Sequence, residues 1–256
     1  MKIIDKVEKV VELIHQSRSI VIFTGAGIST ASGIPDFRSN NGLWSNYDPL
    51  KISHVKRVYE DPASLFSFYA DRYHEFSTHH PNEAHKILAK WQQVSLIHKI
   101  VTQNIDNYHQ QAGAQDAIEL HGNMQVRCQH CNRLLPASRF SKEYGRCEQP
   151  SLEIDEICNG ILRPNVVLFG EELPEQTFNQ ALQAHIEADL CIIIGSSCSV
   201  YPANSLPKQT VLRNNGKIVI INKGTTDLDY LASVKISEWE AVHTLQEIDQ
   251  RLKENV

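Results

Sequence analysis

Ser19-Ile20-Val21-Ile22-Phe23-Thr24-Gly25-Ala26-Gly27-Ile28-Ser29 is the stretch that decides the fold of this chain. A short apolar run without polar alternation reads as a strand covered on both faces, the position of a central strand in a parallel sheet. The glycines after it let backbone approach a phosphate closely, and a helix starting there would add its positive end. Three further runs repeat the pattern. Lys99-Ile100-Val101-Thr102 ends in Gln103-Asn104, Leu190 to Ile194 stops at Gly195, and Lys217 to Ile221 stops at Asn222. Helical patterns lie around them. Ile3, Ile4, Val7, Val10, Val11 and Ile14 form one apolar stripe, and Asn82–Trp91, Gln176–Glu187 and Val242–Leu252 read as further helices. Strands alternating with helices predict an α/β fold with a doubly wound parallel sheet, whose ligands sit beyond the carboxyl ends of the strands.

Composition bounds the function. The 256 residues are 41% hydrophobic and 21% charged, which excludes a disordered or collagen-like chain. No apolar run approaches the ~20 residues that span a bilayer. Met1 to Ser17 lacks a signal-peptide core, so the expectation is a cytoplasmic protein with no membrane partner. A net charge of -5 argues against a general nucleic-acid scaffold. Two stretches break the alternation: residues 30–80, rich in turns, aromatics and short helices, and residues 124–160, which hold four of the six cysteines. Both read as insertions on the sheet.

Several local patterns carry chemistry. Gly33-Ile34-Pro35-Asp36-Phe37-Arg38 puts a carboxylate, an aromatic and an arginine in one loop, suited to a cofactor or to a turn with a surface ion pair. Gln103, Asn104 and Asp106 offer donors and acceptors at a strand end, where Asn104 or Asp106 also suits a helix cap. His121, beside Gly122, can exchange a proton near neutral pH. Cys128-Gln129-His130-Cys131 with Cys147 and Cys158 reads as a split four-cysteine zinc site. The fourth ligand is Cys147 or Asp155; structural zinc prefers sulfur, which favours Cys147, and His130 sits inside the knuckle. No βαβ unit surrounds the CxxC, which disfavours a redox pair. The glycine turn lacks full GxGxxG spacing, which disfavours a standard dehydrogenase.

The order of these patterns is more specific than any one of them. Gly25 to Ser29, Gly33 to Arg38, Thr102 to Asp106, His121-Gly122, the cysteine insert, Arg163 to Glu171, Gly195 to Ser197 and Ile221-Asn222 follow one another over residues 10–245. This series closely resembles the sirtuin family of NAD-dependent protein-lysine deacylases. The resemblance implies a Rossmann-like large domain (about 1–40, 81–123 and 160–256) and a small domain built from insertions (about 41–80, helical, and 124–159, zinc-binding). NAD would lie between them as co-substrate. Gly25, Ala26, Gly27, Asp36, Phe37 and Arg38 would surround its phosphates, ribose and nicotinamide. Gln103 would bind the nicotinamide ribose, and Asn104, Ile105 and Asp106 would line the nicotinamide pocket. Gly195, Ser196, Ser197 and Asn222 would hold the adenosine half. Val167, Phe169, Gly170 and Glu171 would lie along the substrate peptide, with Ser199 to Tyr201 on its other side. His121 would be the catalytic base, and zinc on Cys128, Cys131, Cys147 and Cys158 would be structural.

The implied reaction is deacetylation of acyl-lysine proteins or peptides, with nicotinamide and O-acetyl-ADP-ribose as products. The acyl oxygen attacks the ribose carbon bearing nicotinamide, His121 deprotonates a ribose hydroxyl, and water completes the transfer. Tyr69 and Arg72 have the spacing of sirtuins that remove succinyl and malonyl groups, with Ser53 as a small residue upstream, so a desuccinylase is an alternative. As i, i+3 neighbours they also suit a half-exposed helix. Protein ADP-ribosylation and a non-enzymatic zinc module for nucleic acid are the other readings, the latter opposed by the acidic residues among the basic ones of the insert. Two departures from the family pattern stand out: Cys198 replaces an aliphatic residue, and Cys147 lies farther from Cys158 than in a CxxC pair.

Overall fold

A computed structural model describes residues 2–37, 42–45, 48–141, 143–150 and 156–254. Helix α1 (Ile3–Gln16) leads into β1 (Ile20–Thr24). The first insertion supplies α2 (Pro49–Ile52), α3 (Arg57–Glu60) and α4 (Pro62–Thr78). Asp61 starts α4 by accepting the Ser64 N–H, with Pro62 at the first helical position. Helix α5 (Glu83–Gln93), β2 (Lys99–Thr102), α6 (Tyr108–Gln111) and β3 (Ile118–Glu119) return the chain to the first sheet. A second sheet holds β4 (Gly122–Cys128), β5 (Leu134–Leu135) and β6 (Leu162–Val166). Then come α7 (Glu175–Glu187), β7 (Leu190–Ile194), α8 (Leu206–Asn214), β8 (Lys217–Ile221), β9 (Ala232–Ile236) and α9 (Ala241–Glu254).

The main sheet has the order β3-β2-β1-β7-β8-β9, and every pairing is parallel. Alternate residues of each strand feed opposite cores. Ile20, Ile22, Ile100, Ile192 and Val219 face α1, α5 and α9, while Val21, Phe23, Val101, Ile193 and Ile218 face α7 and α8. This explains why the strands read as unbroken apolar runs. Trp91 of α5 is fully buried, and its indole N–H donates to Asp249 Oδ1 at 2.9 Å, tying α5 to α9.

The antiparallel sheet β5-β4-β6 is covered by the helical insertion: Val58, Leu65, Phe66 and Tyr69 pack with Met124, Val126, Leu162 and Val166 in a third core. The two insertions therefore stabilise each other. β6 pairs with β4, so the smaller sheet runs to Val166 rather than stopping near residue 159. No long helix starts after Gly25. Two single 3-10 turns, Ala26–Ile28 and Thr30–Ser32, take its place, and Gly33 in the left-handed region (φ 90°) ends them. The positive end of a long helix is therefore not available at this turn.

Candidate active site and metal centre

The carboxyl ends of β1 and β7 lie side by side, and the chain leaves them through interlocked glycines. Gly25 N–H donates to Ile194 O at 3.0 Å, and Gly27 N–H donates to Gly195 O at 2.9 Å. A Cβ on Gly27 would lie 2.7 Å from Gly195 Cα, and one on Gly195, where φ is 63°, would lie 2.3 Å from Ile28 N. Only bare backbone fits at this crossing, the surface a pyrophosphate needs. Ala26 sits between the two glycines. Asn222 ends β8 next door, where Gly195 N–H donates to Ile221 O, and its side chain donates to Gly224 O at 3.1 Å. Ser197 Oγ meets Ser199 Oγ at 2.9 Å, and Tyr201 is exposed. Asp36 and Phe37 follow the turn half-buried, and Asp36 O accepts the Leu43 N–H. Arg38 lies outside the described residues.

A buried polar network lies below this turn. Ser29 Oγ donates to Asp106 Oδ2 at 2.7 Å, and Asn104 Nδ2 donates to Gly25 O and to Ser29 Oγ, both at 3.3 Å. Asp106 also accepts the Tyr108 N–H at the start of α6, but the N-cap position belongs to Asn107, whose side chain makes no capping bond. Burial pushes the Asp106 carboxyl up, and these bonds only partly offset that. Ile105 packs against the third core. His85 belongs to the same network. Its Nδ1 accepts the Asn82 N–H at 3.3 Å, which leaves Nε2–H facing Ser29 Oγ at 3.5 Å. Sequence reading gave Ser29 and His85 no role. The available signal was a histidine on the apolar face of α5, between Ala84 and Leu88.

Gln103 links the cofactor side to the candidate base. Its side-chain Nε2 donates to Ser196 Oγ at 2.8 Å, and its carbonyl lies 2.9 Å from His121 Nδ1. A carbonyl only accepts, so Nδ1 carries the proton and Nε2 is left with its lone pair. Burial lowers the imidazole pKa below its ordinary value, against a smaller opposing effect of the Gln103 bond. His121 is thus a neutral base with its basic nitrogen defined.

The 167–171 segment crosses from this base to the helical insertion. Val167 N–H donates to His121 O, and Phe169 N–H donates to Ser53 O, both at 2.9 Å. Gly170 adopts φ 85°. The Glu171 side chain turns inward to Arg163, so its carboxylate is committed within the protein. Tyr69 is buried, with its hydroxyl 2.7 Å from Ser53 Oγ. Arg72 pairs with Glu75 at 2.7 Å and lies over the Phe68 ring.

The four cysteines of the insert converge. All four sulfurs lie within 4.8 Å of one another, with Cys128–Cys158 at 3.6 Å and Cys131–Cys147 at 3.9 Å. Tetrahedral zinc at ~2.3 Å from sulfur demands edges of ~3.8 Å, so the set fits that ion. Cys147 supplies the fourth sulfur; Asp155 lies outside the described residues. The irregular spacing has a simple cause. Cys147 N–H donates to Gly160 O, Cys158 N–H to Gln149 O, and Asn159 N–H to Cys147 O, all at 2.9 Å. An antiparallel ribbon, with Pro150 bridged to Ile157, brings the two sulfurs together as a tight knuckle would. Cys191 and Cys198 are buried elsewhere, and Cys198 donates its thiol toward Ser196 Oγ at 3.8 Å.

This site has relatives. The Sir2 family model matches residues 25–202. NAD-dependent protein deacetylase 1 of Geobacillus kaustophilus is 40% identical over 240 residues, covering 93% of this chain and 95% of that protein. The NAD-dependent protein deacetylase of Sulfurisphaera tokodaii is 43% identical over 231 residues, 90% of each chain. A solved Sir2 structure with a deacetylated p53 peptide and 3'-O-acetyl ADP-ribose superposes with a TM-score of 0.86 at 35% identity, covering 96% of this chain and 98% of that one. The chain belongs to the Sir2 family, the sirtuins.

Proposed function

We propose that this chain is an NAD-dependent protein-lysine deacetylase that releases nicotinamide and O-acetyl-ADP-ribose. The observation that carries the reading is the placement of a neutral His121, its tautomer fixed by Gln103 O, beside the glycine interlock and the buried Asn104–Asp106 network. NAD supplies a ribose carbon on which the acyl oxygen of the substrate forms a bond as the bond to nicotinamide breaks, and nicotinamide leaves as a neutral molecule. Gly25, Ala26 and Gly27 give the pyrophosphate a backbone surface, with Asp36 and Phe37 in the loop that follows; Arg38, which would complete that set, lies outside the described residues. Gly195, Ser196, Ser197 and Asn222 hold the adenosine half. Gln103 orients the nicotinamide ribose, and Asn104, Ile105 and Asp106 bound the nicotinamide end in a water-poor pocket. His121 Nε2 accepts a ribose hydroxyl proton, which lets that oxygen attack the acyl carbon. Acyl-lysine peptides lie along Val167, Phe169 and Gly170. Zinc on Cys128, Cys131, Cys147 and Cys158 has four protein ligands and no open position, so its part is structural. The main sheet with its helices is the cofactor-holding domain, and the two insertions form the small one.

Acetyl is favoured over succinyl by the state of Tyr69 and Arg72. The Tyr69 hydroxyl is engaged by Ser53, and the Arg72 charge is met by Glu75. A distal carboxylate would have to displace Glu75. The test is mass spectrometry of matched acetyl-lysine and succinyl-lysine peptides with and without NAD. NAD-dependent acetyl loss with acetyl-ADP-ribose formed is expected, at a higher rate than succinyl loss. A peptide that gains the mass of ADP-ribose would replace deacylation with ADP-ribose transfer. Among the described residues, no helix is long and apolar enough to cross a membrane.

A further inference from the structure

Arg163 on β6 is a buried cation, its side chain 7% exposed. The hydrogen bonds of its side chain fall within eight residues of chain. Nε donates to Pro164 O at 3.1 Å and Nη2 to Val166 O at 2.8 Å. The fork of Nη1 and Nη2 meets the two Glu171 oxygens at 2.5 and 2.8 Å. The same carboxylate accepts the Leu168 N–H at 2.8 Å. The enclosed turn reaches both sides of the cleft, through Val167 N–H to the His121 carbonyl and through Phe169 N–H to the Ser53 carbonyl. A groove of about 990 Å³ opens alongside, lined by Asn123, Asn165, Val167 and Glu171 among others.

We propose that the Arg163–Glu171 pair is a positioning clamp for acyl-lysine substrates, fixing the 164–171 turn so that His121 and Ser53 are held at one spacing. The proposal rests on the deacylase reading above. Stability alone is a poor reason for such a pair. A buried ion pair is often no more stabilising than apolar residues of the same volume, whereas a bidentate fork fixes direction as well as distance. Here the fork also anchors backbone: Pro164 and Val166 through the guanidinium, Leu168 through the carboxylate. Arg127, the cross-strand neighbour of Arg163, adds a second cation near Glu171. Burial pushes the Glu171 carboxyl up, but the bonds from Arg163 and Leu168 and the nearby cations outweigh it, so the carboxyl stays ionised. Neither clamp side chain needs to touch the reacting atoms. Both act through the turn.

The test compares Glu171→Gln, Arg163→Lys and the double variant Arg163→Met with Glu171→Leu. Thermal unfolding, NAD KM, peptide KM and kcat are measured on each. Glu171→Gln leaves the Arg163 charge buried without its counter-ion, and Arg163→Lys keeps the charge but loses the fork, so the single variants report fold and function together. The double variant separates them, because it removes both charges and keeps the volume. We expect it to unfold below the wild-type temperature, because Pro164 O, Val166 O and the Leu168 N–H lose their partners, yet to stay folded with an unchanged NAD KM. Its peptide KM should rise by about tenfold or more, since sub-ångström misplacement in a reacting geometry is costly. Glu171→Gln, which keeps an acceptor for Leu168, should fall between it and wild type. A double variant with wild-type peptide KM and kcat overturns the clamp. Wild-type protein that leaves acetyl-lysine peptide untouched in the presence of NAD overturns the deacylase reading itself, and the clamp with it.

Discussion

Gly27→Ala tests whether the contact between the β1 and β7 loops is what shapes the cofactor surface. The added Cβ would lie 2.7 Å from Gly195 Cα, while ordinary contact begins at 3.4 Å, so the two backbones must part by about 0.7 Å. That separation stretches the Gly27 N–Gly195 O bond from 2.9 Å to about 3.6 Å, beyond hydrogen-bond range. The lost bond costs about 1 kcal/mol and the overpacking about 1–3 kcal/mol, for a total of about 2–4 kcal/mol. In a chain of this size that lowers Tm by about 4–16 °C. The functional effect is separate. The backbone N–H groups around Gly25 and Gly27 move with the loop, and losing one charge-assisted bond to a phosphate weakens NAD binding at least about tenfold. Calorimetric titration of NAD and thermal unfolding measure the two effects. Gly145→Ala is the control, because its Cβ would meet only the far end of Arg139. A Gly27→Ala protein with wild-type NAD affinity refutes the role given to the crossing.

His121→Ala should retain NAD binding and lose about 10²–10⁴-fold in deacetylation, since only the proton acceptor is removed; isothermal titration and steady-state kinetics check both. In the wild type, burial holds the imidazole pKa below 6.5, so the neutral form survives into mild acid. The acid limb of the kcat/KM profile should therefore be centred below pH 6.5. An acid limb centred above that value would contradict the environment described for His121. Cys147→Ser should abolish zinc binding and unfold the antiparallel sheet, because ligand binding and folding are coupled; metal analysis showing one zinc per active chain would contradict this. Glu75→Gln should raise succinyl-lysine turnover relative to acetyl-lysine by freeing the Arg72 charge. An unchanged ratio of the two rates would make Arg72 a structural residue.

The central strands were legible because burial on both faces leaves an unbroken apolar run, as in Ile20–Phe23 and Leu190–Ile194. Their ends were legible because glycine or an amide residue follows. β3 was not, since two residues carry no pattern, and β9 was not, since Ala232–Ile236 alternates as an edge strand does. α8 escaped because Pro207 stands at its start and polar residues fill its exposed face. In the site, a glycine turn advertises close backbone approach but not its partner: Gly195 is 168 residues away from Gly27 in the chain. At that crossing the chain makes two short 3-10 turns, with the Gly27 N–H donating to Gly195 O. His85 and Arg163 were silent for a related reason. Their roles depend on buried partners contributed by distant segments or turned inward by local folding, and no spacing rule encodes either.

β3 ends at Glu119 in the parallel sheet, and β4 begins at Gly122 in the antiparallel one. Only Leu120 and His121 separate them. The imidazole therefore sits at the junction of the two sheets, and its aim depends on the angle between them. A small rotation of the zinc-bearing sheet, too slight to open or close any cavity, would swing Nε2 through an arc and detune the reaction. A change in the packing of the antiparallel sheet would therefore be felt at His121 through a junction only two residues long.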